Sequence, residues 1–481
     1  MVPQQQLSPP DDVAESRAGS AIDHADNDCI FYGGLQFAGA DLGEISSRCG
    51  IPVFPEGGRR WIQNQTGIDA IFPRVYDQPH VETQPLSPEA VSMLLRPDEI
   101  IPRRDLESWI KNFLASPLSS VFPVISSELF SQTVQKVYVP VELTKASVVS
   151  ARACTLAFAA MLFRLDPEQT PGLRSDDVVA YVTAVEQTLL PSLAVPTLDG
   201  LQTALFLVIY HQLSGSLQSA AMLHALACRC VIALKGHIKK SEVDALSEEQ
   251  HYRRLFWLCY FIDKDITLRT GQSPVLSETE LDLQLPDGYD FYSLPLDGSE
   301  IAPQGTRYFS DLRLTKMKSK ICTVLWSKAA EAKTNAQLIA DIMTMDAELE
   351  TWRLSVPEQF RPQLSTISTV IQGQMHHSAK MLVICSHLEY FFLLAAVHRA
   401  SGQRRKWRSG VPLELGALKS SMQVTIEASR STLQLLKTGL WDIHKESFWS
   451  VATAYWVITL SNVRANFRLT GSSVSTPSGP R

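Results

Sequence analysis

From Leu255 to Ile262 every side chain is apolar or aromatic, LFWLCYFI. A helix through this stretch offers no face to water and has to be wrapped by neighbours. Its limits are written in the flanks. Ser247, with Gln250 three positions on, fits a capping box in which the hydroxyl meets a free backbone N–H and the Gln side chain reaches back. At the far end Gly271 suits the left-handed turn that closes a helix, and Pro274 prevents resumption. Ser277 and Glu280 fit a second, shorter box before Leu281, Leu283 and Leu285 lead to Pro286.

Other segments repeat the helical period. Residues 102–130 predict a helix from about Asp105 to Ala115, a Pro-broken connection, and another helix beginning near Ser126. Ala151, Cys154, Phe158, Met161 and Leu165 keep a three-four spacing and make one apolar face, stopped by Asp166-Pro167. Residues 174–190 give a helix ended by Pro191 and Pro196. Leu201 to Leu213 and Leu217 to Leu234 form a helical hairpin hinged at Ser214-Gly215, with small residues allowing close approach. Leu338, Ile342, Met345, Leu349 and Trp352 make a clean stripe before Pro357. Leu415, Leu418, Met422, Ile426, Leu433, Leu436 and Leu440 mark a late helix, and Phe448 to Phe467 another. The turn-rich residues 287–305 predict a surface loop. No period of 30–50 residues is present, which excludes a regular solenoid. The fold class expected is all-α, one large irregular multi-helix domain over 96–470.

The ends read differently. Residues 1–28, rich in Pro, Gln, Asp and Ser, predict a disordered N-terminal segment, and 471–481 a linker-like tail. Residues 29–95 are Gly-rich, and the glycines at 33, 34, 39, 43, 50, 57 and 58 read as turns around short ordered pieces.

At 481 residues and 45% hydrophobic the chain is long enough for a large core, and a net charge of −6 argues against the chain itself gripping a polyanion. The N-terminal segment has no apolar signal-peptide core. The apolar stretches Ala204 to Leu213 and Met381 to Val397 are interrupted by polar residues and fall short of the ~20 residues a membrane span needs, so no membrane partner is expected. Most of the eight cysteines lie inside apolar helical runs, which suits buried, reduced thiols of an intracellular protein.

Candidate chemistry is sparse. Arg253 and Arg254 precede the apolar run while Asp263, Lys264 and Asp265 follow it, and they are expected to mark an exposed start and end of the helix, with one partner pair closing over the core. Asp263 as a catalytic acid has no nearby His to support it. His224 and Cys228 stand four apart on one helix face, but Cys230 points elsewhere and the spacing supplies no fourth ligand, so core packing is expected. His376-His377 and Cys385 with His387 read the same way. Neither H-E-x-x-H nor G-x-S-x-G occurs, no phosphate-cradling Gly loop is present, and Asp176-Asp177 lacks the third carboxylate of a magnesium clamp. No enzyme is expected. The dense basic run Arg404, Arg405, Lys406 and Arg408, around Trp407, reads as a solvated loop, with a nuclear-import signal or a phosphate contact as the alternatives.

Arg254, Leu255, Phe256, Trp257, Asp263, Leu268, Gly271 and Pro274 resemble the signature of the middle homology region of fungal zinc-cluster transcription factors. That signature is a basic pair, Leu-Phe-Trp, an Asp about six residues on, and Gly-Arg-Pro; Gln272 and Ser273 stand where the family often has Arg and Pro. Asp199, Gln202, Tyr210, Gly215, Ala221, Ala227, Ala233 and Leu234 resemble the pattern leading into it. Leu349, Trp352, Pro357, Arg361 and Pro362, and the helix from Glu389-Tyr390 to His398-Arg399, resemble later landmarks. The resemblance implies a nuclear transcriptional regulator that works through a helical regulatory domain. Its implied partners are other transcription regulators or a second copy, and in some members a small-molecule inducer; in this chain Trp257, Tyr260, Phe261 and Tyr390 are expected to be plain core, with a pocket enclosed by them as the alternative. The family's six-cysteine zinc cluster has no counterpart, since no Cys-x-x-Cys occurs in the chain. DNA contact is therefore expected to be indirect or lost with that cluster, and zinc is expected only if an N-terminal cluster is restored. The alternative is an interaction protein, a corepressor or competitor that does not engage DNA.

Overall fold

The computed structural model describes residues 31–37, 40–46, 52–67, 101–140, 144–192, 195–239, 247–270, 272–286, 289–297, 299, 307–365, 373, 375–402 and 412–439. The expected disordered ends, the basic run at 404–408 and the helix at 448–467 lie outside them.

The Gly-rich region departs from the turn reading. Strands β1 (Phe31–Phe37) and β2 (Ala40–Ser46) pair antiparallel, from Phe37 opposite Ala40 to Phe31 opposite Ser46, and β3 (Pro52–Val53) pairs with the other edge of β2. The register of β1 against β2 shifts between Phe31 and Gly34 and again between Leu35 and Gln36. Glycine tolerates such irregularities, so Gly33 and Gly34 sit inside a strand instead of ending one. Helix α1 (Glu56–Thr66) follows, closed by Gly67 at φ +73°. All-α thus describes the helical body and not this N-terminal sheet.

In the body, α2 (Arg103–Ala115), α3 (Leu118–Val121) and α4 (Ser127–Tyr138) lead into α5 (Lys145–Leu165). Thr144 caps α5 by accepting from the Ser147 N–H at 3.2 Å. The expected single apolar face is too narrow: α5 is buried on every side from Ser150 to Leu162. Ala151, Ala153, Ala157, Ala159 and Ala160 allow α2, α4, α6 (Ser175–Ser192) and α7 (Leu198–Leu213) to close around it. Phe158 meets Phe113, Phe130 and Phe206 at ring separations of 5.7, 5.4 and 5.7 Å. Pro191 does not end α6, which runs on to Ser192. Helices α7 and α8 (Leu217–Ala233) form the predicted hairpin, turned at Gly215 with φ +77°, and α9 (Glu248–Thr270) packs on α8.

A second core gathers α10 (Leu312–Ile321), a π-helical turn at Cys322–Trp326, α12 (Asn335–Ser355), α13 (His377–Arg399) and α14 (Pro412–Gly439), while the short α11 (Lys328–Glu331) packs on the π-helical turn. α12 carries a complete capping box, Thr334 with Gln337, and buries the five predicted residues of its stripe. α14 buries Ile426 and Leu436 of its predicted stripe, but its inward face is wider than the one its leucines suggest. Leu433 is exposed, while Thr425, Ser429 and Thr432 are buried and return their hydroxyls to carbonyls four residues back. Hydroxyls satisfied in this way pack as apolar groups. The expected surface loop is also partly core: Phe291, Tyr292 and Leu294 are buried, with Tyr292 Oη 2.8 Å from Ser386 Oγ. Phe122, Tyr289 and Phe309 touch both cores.

Two helices, Lys145–Leu165 and Ser378–Arg399, are long and apolar enough to cross a membrane, contrary to the shorter stretches read from sequence. Both are packed inside the fold, the second completely, so their apolarity serves helix packing.

Candidate functional site

Helix α9 starts where predicted, with the Gln250 N–H donating to Ser247 Oγ at 3.2 Å. The second box does not form. Ser277 makes no cap to the following 3-10 turn, and its hydroxyl lies 3.0 Å from Thr279 Oγ1. Residues 272–285 run back along α9 as a strap, and the charged residues flanking the apolar run are what hold it.

At the far end, Asp263 Oδ1 accepts the Val275 N–H at 2.9 Å and Oδ2 accepts the Leu276 N–H at 3.2 Å. Lys264 donates to Asp263 Oδ2 at 2.9 Å and to the Leu276 carbonyl at 2.7 Å, and its ammonium lies 5.0 Å from the Tyr260 ring centre. Tyr260 donates its hydroxyl to Glu278. At the near end, Arg253 donates to the carbonyls of His237, Asp282 and Gln284 at 3.0, 2.7 and 2.9 Å, over the faces of Phe256 and Trp257. The expected exposed start and end of this helix is therefore wrong, while the expected partner pair over the core is present in Asp263 and Lys264. Asp263 and Lys264 are 2% and 1% exposed and Arg253 7%, because the strap closes over them and satisfies their charges with backbone groups.

The other signature residues fall as follows. Leu255, Phe256 and Trp257 are fully buried in the first core. The Arg254 carbonyl accepts from Tyr308 Oη at 3.1 Å, while its Nε and Nη2 have no hydrogen-bond partner among the described residues. Pro274 lies exposed on the strap. Gly271 and the side chain of Leu268 lie outside the described residues. Trp257, Tyr260 and Phe261 belong to the first core and Tyr390 to the second, so they do not line one chamber.

The hairpin joins this unit through polar contacts. Asp199 accepts from Thr133 Oγ1 at 2.7 Å and from Lys136 Nζ at 2.8 Å. Gln202 and His251 both donate to the Val124 carbonyl, at 2.7 and 3.1 Å. Burial, then the Arg254 charge, push the His251 imidazole down to about 3.

His224 and Cys228 on α8 face Cys259 and Asp263 on α9. His224 Nε2 donates to the Cys259 carbonyl at 2.9 Å, and Cys228 Sγ lies 3.3 Å from Nε2 and 3.8 Å from Nδ1. Donor atoms of His224, Cys228 and Asp263 come within 4.8 Å of one another. Burial lowers the His224 imidazole and raises the Cys228 thiol, which also hydrogen-bonds the Cys259 thiol. Cys230 does turn elsewhere, toward the Thr197 carbonyl at 3.9 Å. In the second core His387 donates to the Phe360 carbonyl at 2.7 Å and is pushed down to about 4 by burial, and His376 caps α13. Asp177 pairs with Arg174 at the start of α6, as a helix N-terminus does.

Lys264, Gln272, Ser273 and Pro274 face Cys322 and Trp326 of the π-helical turn across a cleft of about 350 Å³. The Cys322 thiol is pushed up to about 11 by burial, which makes it a poor nucleophile. Lys318 is buried between Asp265, at 3.3 Å, and Glu389, at 2.5 Å, and burial raises Glu389 to about 7. These groups clamp elements together, and none of them forms an acid–base pair open to that cleft.

Sequence reasoning missed the strap and the His224–Asp263 cluster. A signal existed for the second: His224 with Cys228 and Cys259 with Asp263 are each four apart, so two neighbouring helices each present two donors on one face.

Residues 158–354 match the fungal specific transcription factor domain. The match runs from α5 through α12 and includes the hairpin, α9 and the strap. An ABC-transporter-regulating transcription factor of Aspergillus fumigatus is 25% identical over 423 residues, covering 82% of this chain and 45% of the relative. A protein of the same description from Aspergillus oryzae matches with the same identity and coverage. The fusaridione A cluster transcription factor of Fusarium heterosporum is 28% identical over 229 residues, 46% of this chain and 40% of the relative. The chain spans less than half the length of these relatives. No solved structure matches.

Proposed function

We propose that this chain is a transcription regulator of the fungal specific transcription factor family, not an enzyme, and that it acts in the nucleus through its helical body, with DNA reached through a partner or through a zinc cluster outside this sequence. The observation that carries the reading is the family match at residues 158–354 coinciding with the α7–α9 unit and its strap. The net charge of −6 favours indirect DNA contact, because phosphate contacts need clustered Lys and Arg. Relatives described as regulating ABC transporters suggest genes of that class as targets.

Tethering tests the reading. The full chain fused to a heterologous DNA-binding domain should raise or lower a reporter, and the fusion carrying Arg253→Ala and Asp263→Ala should lose that effect. A silent wild-type fusion refutes regulation by this body. In a gel shift the purified chain should show no sequence-dependent binding, and tight specific binding would defeat the indirect version. A corepressor without DNA engagement remains the second reading; the tethered chain would then repress and would co-purify with full-length relatives. The basic run Arg404, Arg405, Lys406 and Arg408 is proposed as the import signal. Deleting it in a fluorescent fusion should abolish nuclear accumulation, and unchanged accumulation rules that role out. A small inducer is proposed for the cleft beside Lys264, where a buried ammonium meets a polar wall of Gln272 and Ser273.

A further inference from the structure

We infer that His224, Cys228, Cys259 and Asp263 form a structural zinc site between α8 and α9. Each helix contributes two donors one turn apart, and the set of one imidazole, two thiols and one carboxylate is a mixed tetrahedral ligand set that zinc accepts. All four residues are 2% exposed or less.

The distances fit. With Zn–S at about 2.3 Å and Zn–N at about 2.0 Å, a tetrahedral S···N edge is roughly 3.5 Å. Cys228 Sγ lies 3.8 Å from His224 Nδ1, a few tenths beyond that edge, the donor atoms of His224, Cys228 and Asp263 gather within 4.8 Å, and the Cys259 thiol joins them through its hydrogen bond to Cys228. The outer contacts fit as well. Metal-bound imidazoles usually donate their other N–H to a carbonyl, and His224 Nε2 donates to Cys259 O, which leaves Nδ1 to ligate. The Val275 and Leu276 amides and Lys264 orient the Asp263 carboxylate from the side of the strap.

Charge balances. Without metal the cluster holds a neutral imidazole, two protonated thiols and the Asp263–Lys264 pair. Binding replaces two thiol protons by one Zn²⁺: two Zn–S bonds form, two S–H bonds break, and two protons leave to buffer. The buried net charge is unchanged, so the exchange avoids the cost that burying a lone dication would carry. This site is independent of any zinc cluster that reads DNA, because all its ligands lie in the helical body.

Cobalt chloride added to the reduced, metal-free full chain tests the assignment. One equivalent should give the thiolate-to-cobalt charge-transfer band and the intense visible bands of a tetrahedral site. Zinc chloride should bleach them, release two protons per ion and raise the melting temperature. Cys228→Ala and Cys259→Ala should each lose the charge-transfer intensity and weaken zinc binding by about 100-fold. Cys29→Ser with Cys49→Ser, and Cys322→Ser, should leave the spectrum unchanged. A wild-type chain with no tetrahedral cobalt spectrum, or with no proton release on zinc addition, overturns the proposal whether or not the variants fold. So does a spectrum that survives the Cys228→Ala/Cys259→Ala double variant.

Discussion

Replacing Asp263 by Ala removes the charge partner of a Lys264 ammonium that is 1% exposed, and frees the Val275 and Leu276 amides. Val275 sits on an exposed part of the strap and its amide can rehydrate, whereas Leu276 is 4% exposed. Breaking a buried pair by deleting one member costs about 3–5 kcal/mol, and a dry orphan amide adds about 1–3. Asp263→Ala should therefore lose at least about 3 kcal/mol of unfolding free energy. Deleting both charges is milder, because an apolar pair of similar volume leaves no buried ion. Asp263→Ala/Lys264→Met should recover at least about 2 kcal/mol relative to the single variant. Urea unfolding with chelator present, followed by tryptophan fluorescence, measures both, since Trp257 lies in the middle of α9. A single variant within about 1 kcal/mol of wild type, or a double variant no better than the single, refutes the clamp.

A Cβ on Gly236 would meet the Tyr252 carbonyl oxygen at 2.6 Å and Val231 Cγ2 at 2.8 Å, so Gly236→Ala should lower stability by about 1–3 kcal/mol in the same titration. Arg253→Lys keeps a charge but loses the fork that spans three carbonyls; limited proteolysis should cut within 272–285 several times faster than in wild type, and unchanged protection speaks against the near-end clamp. His251 has a folded-state value, about 3, below its ordinary one, so its contribution is complete above about pH 6.5 and is lost as pH falls from there toward 3. The melting temperature should fall across that window, and less steeply in His251→Gln. Glu389, raised to about 7, runs the other way: its contribution is complete below its ordinary value near 4.5 and is lost as pH rises to about 7, so Glu389→Gln should gain stability at pH 7.5 relative to pH 4.5 when compared with wild type.

Much of the helical body was legible because its signals are local. The α12 stripe, the Gly215 hinge and the Ser247 cap each depend on residues a few positions apart. What the sequence hid depends on pairing at a distance. The flanking charges of α9 look like an exposed boundary until the strap lies over them, since nothing in a one-dimensional pattern shows that residues 275, 276, 282 and 284 return to meet residues 253, 263 and 264. The same limit explains α14, whose buried hydroxyls read as polar until their bonds to the preceding turn are seen. It also explains β1 and β2, where glycine frequency outweighed the short alternation around Leu35 and Phe37.

The partners that fasten the strap are near neighbours along the chain: Lys264 meets Leu276 twelve residues on, and Arg253 meets Asp282 twenty-nine on. Closing loops this short costs little chain entropy, so the unit can assemble while α10 to α14 are still being synthesised. A chain emerging from the ribosome would then carry a finished wall against which its later half condenses, and harm done to that wall would surface as poor yield of soluble protein before any change in gene expression could be scored.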